Sequence, residues 1–361
     1  MKPFLILGEP EDVHAHYVHW ALQAAGYETR FIYSSHCPSN TTLYLDNVTD
    51  GFTSADWNEA EAGWCRRLPK PSVVEKGYGE DDGFILVEER RFTKWLIDMQ
   101  EDRAMRWINS PAVAMRAENK FIQLKRARSH GISVPPTLVT AQPDRFRAFL
   151  RAHGTIVAKP LCGYSWEGAP GEMLTAFATI LDSKRGSELS DEDIAQCVTI
   201  YQERVDKVSD VRMLVMGGDV FAYEITQNGE QYFDFRVGFN QENHLNYEAI
   251  SVPGSLKKKM LGLMDSLQIN LASADFALKA DGDWIFLDLN PNGQWLFIED
   301  RSPESRIGQK FCSFFVKGVV DPDLEDLFPS YSEYQKSDVA RSMEEGFRQH
   351  SAAQAARDFD R

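Results

Sequence analysis

The sequence has no C-x-x-C pair, no apolar run long enough to cross a membrane and no excess of positive charge. Its five cysteines, Cys37, Cys65, Cys162, Cys197 and Cys312, are odd in number and widely scattered. Such spacing signals neither a zinc site nor a disulfide framework, and free thiols predict a cytoplasmic protein. No stretch approaches the ~18–20 consecutive apolar residues of a transmembrane helix. The opening run Phe4-Leu5-Ile6-Leu7 is too short for a signal peptide. Glu9, Glu11 and Asp12 follow where a small-residue cleavage site would stand. Lys and Arg number 39 against 54 Asp and Glu, a net charge of −15. A surface of that sign repels phosphate backbones, so neither nucleic acid nor membrane is expected as a partner. Internal repeats and low-complexity tracts are also missing.

What is present is an ordinary globular composition. Of 361 residues, 43 % are hydrophobic and 12 % aromatic, enough for a large core and too many for disorder over most of the chain. At roughly 150 residues per domain, that length predicts two or three structural units.

The chain opens as an α/β unit. Phe4 to Leu7 reads as a buried strand. Val13 to Ala25 has helical spacing, with Val18, Ala21, Leu22 and Ala25 on one face and Gly26 as its stop. Thr29 to Tyr33 reads as a second strand, so a small parallel sheet is expected. Ser39 to Val73 is turn-rich and unassigned. A helix is expected from about Glu88 to Ile108, broken by Asn109-Ser110-Pro111. Glu118 to His130 reads as a helix stopped by Gly131, and Ile132 to Thr140 as extended chain. Strands are expected at Thr155 to Lys159, Val198 to Glu203 and Gln231 to Val237. Hairpins are expected at Val211 to Ile225 and Ala272 to Leu289, and a helix at Leu256 to Leu267. After Pro329 the composition predicts a charged helix with a loose end.

Four constellations carry chemistry. Asp288 and Asn290 stand two apart on a strand, so they share a face, and Asp275 in the paired strand adds a carboxylate. These hard oxygens suit magnesium, with nucleotide phosphates completing its shell; a plain strand-ending turn is the alternative. Lys159 ends an apolar strand before a glycine-bearing loop, where a buried ammonium needs an anion such as a phosphate. Lys120 begins a helix, where the backbone dipole welcomes a bound anion, although a solvated surface lysine is the simpler reading. Tyr201-Gln202-Glu203-Arg204-Val205 can offer backbone groups to an adenine edge. Asp210 can bind ribose hydroxyls, and Arg212 would point toward phosphates. Asp234 and Arg236 alternate onto one face, where an internal ion pair is an equal possibility. His14, His16 and His19 invite a metal reading, but only His16 and His19 could share a helix face, and no carboxylate has clear ligand spacing.

Taken in order, these features resemble the ATP-grasp ligases, and within them the peptide-modifying ligases that make microviridins and related graspetides. Asn109-Ser110-Pro111, Ala117-Glu118-Asn119-Lys120, Gln123-Leu124 and Gly131 to Thr140 resemble that family's linker, first ATP lysine and following strand. Asp234-Phe235-Arg236 resembles its Asp-x-Arg motif. Asp288-Leu289-Asn290-Pro291-Asn292-Gly293-Gln294-Trp295 resembles its Glu-x-Asn-Pro-Asn-Gly-Gln-Trp signature, with Asp where the family more often has Glu. The resemblance covers about residues 105–300.

It implies an α/β (α+β) ATP-grasp fold. Residues 1–115 would form an N-terminal pre-ATP-grasp domain and 116–200 a central subdomain. Residues 201–330 would form a C-terminal subdomain with the metal site, and 331–361 a charged helical tail. It implies ATP and Mg²⁺ as cofactors, with Lys120, Lys159, Gln202, Glu203, Val205 and Asp210 at the nucleotide and Asp275, Asp288 and Asn290 at the metal. Arg212 and Arg236 would hold an acyl phosphate, while Asp234 would orient Arg236 or take the nucleophile's proton. The implied substrate is a ribosomal precursor peptide of leader and core, whose Asp or Glu side chains are joined to Ser/Thr hydroxyls or Lys amines in macrocycles. The leader would dock near Gln231 to Asn246 and the helix Leu256 to Leu267, where Lys257, Lys258 and Lys259 could meet acidic residues or simply face solvent. A homodimer is also implied. The competing readings are an ATP-grasp ligase for a free amino acid or small carboxylic acid, and a non-catalytic nucleotide-binding protein.

Overall fold

All five residues of the strand Phe4–Gly8 are apolar or glycine, and all are buried or nearly so. Burial on both faces is the mark of a central parallel strand. It lies second in a sheet of order Thr29–Tyr33, Phe4–Gly8, Ala62–Cys65, Arg106–Trp107, paired in parallel throughout. The computed structural model describes residues 2–9, 12–33, 44–46, 51–53, 60–67, 81–101, 105–161, 165–167, 173–176, 178–228, 233–234, 245–343 and 345. The helix Val13–Ala24 follows the first strand because Asp12 caps it, its Oδ1 accepting from the N–H groups of His14 and Ala15.

Two features of this sheet differ from the sequence expectation. Ala62–Cys65 is a strand inside the turn-rich stretch, too short and too rich in small residues to show a period. Gly63 belongs there because a Cβ would stand 2.6 Å from the Trp107 ring. The helix expected over 88–108 instead runs Asp82–Glu101, and Arg106–Trp107 forms the sheet's edge. Arg106 fixes that edge by donating to the carbonyls of Phe315 and Val316.

Asn109-Ser110-Pro111 is a helix start as well as a break. Ser110 accepts from the Val113 N–H and Pro111 takes the first helical position of Pro111–Ala117. The helix expected over 118–130 follows it as a separate, second helix. Asn119 caps the second, Lys120–Ser129, by accepting from Phe121 and Ile122. A four-stranded antiparallel sheet follows, ordered Thr179–Leu181, Ile156–Lys159, Thr199–Glu203, Thr137–Thr140. The helix Pro143–His153, unread in the sequence, packs against it through Phe146 and Leu150.

The largest sheet is antiparallel, ordered Leu245–Ile250, Asp219–Gln227, Ser209–Met216, Leu271–Leu278, Trp284–Asn290. Ser209–Met216 is buried along its whole length. One face carries the helix Gly254–Leu267 through Leu256, Met260, Leu263, Met264 and Leu267. The other reaches the N-terminal unit, with Leu214, Met216 and Leu271 in one core with Phe4, Trp64 and the helix Ile307–Lys317. Of the strand expected over 231–237, only Phe233 and Asp234 are described, in a bend. In the C-terminal segment the helix Tyr331–Gln335 starts with a Ser330–Glu333 capping box, and its Tyr334 is buried against Tyr17 and Trp20.

Candidate active site

A row of charges crosses three adjacent strands of the large sheet. Arg212 pairs in register with Asp275, and Asp275 with Asp288. Regular pairing after Phe276–Phe286 would set Leu287 opposite Asp275. A bulge at Asp275 and Phe276 shifts the register and places Asp288 there instead. Arg212 Nη1 donates to Asp275 Oδ1 at 2.7 Å, and Lys120 Nζ pairs with Asp288 Oδ2. The row thus runs cation, anion, anion, cation; Arg212 is buried, the other three are partly exposed, and each charge has a counterion at hand.

The small sheet supplies the facing wall. Lys159 Nζ donates to Gln202 Oε1 at 2.6 Å, and Gln202 Nε2 donates to Thr137 Oγ1 at 3.0 Å. Gln202 is buried, so its amide fixes the lysine at the strand end. Lys120, Lys159, Gln202, Glu203, Val205, Asp210, Asp234, Asp275 and Asp288 all line one cleft between the two sheets. Nine of the twelve site residues expected from the sequence therefore converge there. Arg212 reaches it through Asp275. Asn290 stands apart: it is exposed at the strand end, and its Oδ1 accepts from the Asn292 N–H at 2.9 Å. Arg236 lies outside the described residues.

The sequence reading missed several supporting residues. Lys207 Nζ pairs with both oxygens of Asp210, donates to the Phe233 carbonyl and lies 5.0 Å from the Phe233 ring centre. Burial pushes the Asp210 carboxyl up to about 6; Lys207 opposes that, and Asp275 and Asp234 add to it. The three-residue spacing of Lys207 and Asp210 was the available signal. Gln123 backs the acidic strand, accepting from the Leu289 N–H and donating to its carbonyl. Asn109 ties the linker to the loop after that strand. Its side chain donates to the carbonyls of Leu271 and Pro291 and accepts from the N–H groups of Asn270 and Leu271.

The loop after Asn290 is packed from beneath. A Cβ at Gly293 would stand 2.4 Å from Ser273 Oγ, so only glycine fits under the Arg212 row. Arg212 Nη2 donates to the Gln294 carbonyl at 2.9 Å. His14 Nε2 accepts from the N–H groups of Trp295 and Leu296. His19 is bonded to Thr29 Oγ1 and His16 packs on Phe31. The N-terminal histidines therefore serve packing and the loop.

No family model matches the chain. Over 149 residues, 40 % of the chain, it is 32 % identical to a glutathione synthetase of Neisseria meningitidis serogroup A. It is 31 % identical over the same length to that of serogroup B. The match spans 44 % of the length of each relative, under half. Solved structures cover far more of it. The macrocyclase MdnC from Microcystis aeruginosa, bound with the precursor peptide MdnA, superposes at a TM-score of 0.75 with 22 % identity, over 88 % of this chain and 100 % of that one. A RiPP-associated ATP-grasp ligase from Chryseobacterium gregarium, in complex with ADP and a leader and core peptide, gives 0.76 with 20 % identity, over 88 % and 98 %. The ATP-grasp ligase PsnB, complexed with minimal precursor, Mg and ADP, gives 0.66 with 22 % identity, over 82 % and 91 %. The agreement in architecture extends over most of the chain, and the chain has the ATP-grasp fold.

Proposed function

We propose that the chain is an ATP-dependent carboxylate ligase acting on a ribosomal precursor peptide. It activates Asp or Glu side chains as acyl phosphates and joins them to Ser/Thr hydroxyls or Lys amines, closing macrocycles. The observation that carries this reading is the Arg212–Asp275–Asp288–Lys120 row facing Lys159 and Gln202 across one cleft. The fold shared with ligases crystallised with precursor peptides supports the choice of substrate.

Two carboxylates opposite one another on adjacent strands fit a hard divalent cation. No group of three His, Cys, Asp or Glu side chains suited to a metal occurs among the described residues. The protein would thus offer Asp275 and Asp288, with Asn290 beyond them, and leave the other positions to phosphate oxygens and water, as magnesium prefers. Bound there, magnesium would neutralise charge on the nucleotide phosphates.

The side chains divide the remaining work. Lys120 and Lys159 hold the phosphates. Gln202, with the Glu203–Val205 backbone, meets the adenine edge, and Asp210 the ribose hydroxyls. A carboxylate is a poor electrophile until phosphorylated. Arg212 and Arg236 stabilise the acyl phosphate and the oxyanion formed when the acceptor attacks. Asp234 orients Arg236 or takes the acceptor's proton. A homodimer belongs to the same proposal.

The likeness to glutathione synthetases favours a second reading, a ligase for a free amino acid or small carboxylic acid. Phosphate release from ATP separates the two. Stimulation by the short peptide encoded beside the gene supports the peptide ligase, whereas stimulation by free amino acids alone replaces it.

A further inference from the structure

A second cavity lies at the end of the N-terminal sheet, apart from the nucleotide cleft. Its walls include Glu9 and Asp12 after the first strand, Arg66 and Arg67 after Ala62–Cys65, and Gln294 and Phe297 from the loop beyond Asn290. Its volume of about 460 Å³ suits a side chain or two of a larger substrate.

Two buried polar atoms on these walls have no hydrogen-bond partner among the described residues. Arg66 is 1 % exposed; its Nε pairs with Asp12 and its Nη1 donates to the Asn292 carbonyl, but Nη2 is unmatched. Glu9 Oε1 is unmatched as well. Buried donors and acceptors of this kind are costly when left alone, so the pair marks a place for a ligand. One donor and one acceptor, just beneath the surface on two residues that line a single cavity, fit a group that offers both, such as a hydroxyl or a peptide unit. A free phosphate or carboxylate fits poorly, because Glu9, Asp12 and Asp300 also line the cavity.

Arg212 joins this cavity to the nucleotide cleft. Nη1 reaches Asp275 in the cleft, Nη2 donates to the Gln294 carbonyl, and the guanidinium carbon lies 5.8 Å from the centre of the Phe297 ring. Arg212 therefore lies between the two spaces, in contact with a wall of each.

We propose that this cavity is the acceptor subsite. It holds the residue whose hydroxyl or amine attacks the activated carboxylate, with Arg66 Nη2 donating to an oxygen of that segment and Glu9 Oε1 accepting from its O–H or N–H. The inference rests on the peptide-ligase reading of the nucleotide cleft.

The test uses the full chain with ATP, Mg²⁺, the short peptide encoded beside the gene, and hydroxylamine to capture acyl phosphate as hydroxamate. In Glu9→Ala the ratio of ring product to hydroxamate falls about tenfold, the effect of one lost hydrogen bond. Arg66→Lys, which keeps a cation beside Asp12, lowers the ratio in the same sense. A wild-type ratio in both variants overturns the proposal. So does an equal loss of both products, which would assign Glu9 to the phosphorylation step. If the wild-type protein yields neither ring nor hydroxamate, the peptide-ligase reading itself fails, an outcome distinct from the other two.

Discussion

His14 Nε2 accepts the backbone N–H of Trp295 at 2.9 Å, and the two rings meet edge to face at 4.9 Å. The contact joins residues 281 positions apart. It makes the first helix of the N-terminal unit part of the support for the loop that follows Asp288 and Asn290. An imidazole that accepts at Nε2 must be neutral, and the rest of its surroundings agree. Burial, first, and then the nearby Arg66 hold His14 well below the usual 6.5.

That relationship sets a pH dependence for stability. In the unfolded chain His14 titrates near 6.5. Below that pH the unfolded state binds a proton that the folded state refuses. The stabilisation is therefore complete above about 6.5 and declines as pH falls, by up to about 1.4 kcal/mol per pH unit for such a group. His19, held down to about 4 chiefly by burial and then by His16, adds to the same slope. Denaturant midpoints measured from neutral to mildly acid pH should fall with acidification, less steeply in His14→Gln. Equal slopes for the two proteins would show that His14 does not carry the effect.

Gly293→Ala should destabilise the protein by about 1–3 kcal/mol, because the new Cβ meets Ser273 at 2.4 Å. Ser273→Gly in the same chain removes both clashing atoms and should restore most of the loss. Thermal melts of the two variants check this, and a melt of Gly293→Ala matching wild type would contradict the packing described for the loop.

Arg212→Ala should lower ligation by about 10²–10³-fold, with a much smaller change in ATP affinity. The guanidinium touches Asp275 and the Gln294 carbonyl, at the border of the nucleotide cleft. Turnover and nucleotide titration together decide the point: equal losses in both would move Arg212 into the nucleotide site.

Asp288→Asn keeps the shape of the side chain and removes its charge. Nucleotide binding should then need more Mg²⁺, and the Lys120 ion pair should be lost. Calorimetric titration of ATP over a range of Mg²⁺ concentrations tests this. An unchanged Mg²⁺ requirement would remove Asp288 from the metal set.

Much of this arrangement was legible in residue order. Lys159 stood out because an ammonium ending an apolar strand calls for an anion; the neutral Gln202 amide only orients it. The acidic pair Asp275 and Asp288 was visible as a hairpin, but their alignment was not. It depends on a bulge at Asp275 and Phe276, a register shift with no residue signature of its own. Asn109 was read as a helix break because its neighbours are Ser and Pro. Its four hydrogen bonds run to residues more than 150 positions away, beyond the reach of local spacing. Ala62–Cys65 escaped because four residues with two small side chains carry no period. The histidines were weighed only as ligands of a metal, whereas His14 serves a distant loop.

The most direct test of the central claim is mass spectrometry of the short peptide encoded beside the gene after incubation with the protein, ATP and Mg²⁺. The account predicts the loss of one water per ring, dependent on ATP. Reversal by mild base would identify esters, and resistance to it amides. An unchanged peptide mass, with ATP consumed instead in the presence of a free amino acid, would contradict it.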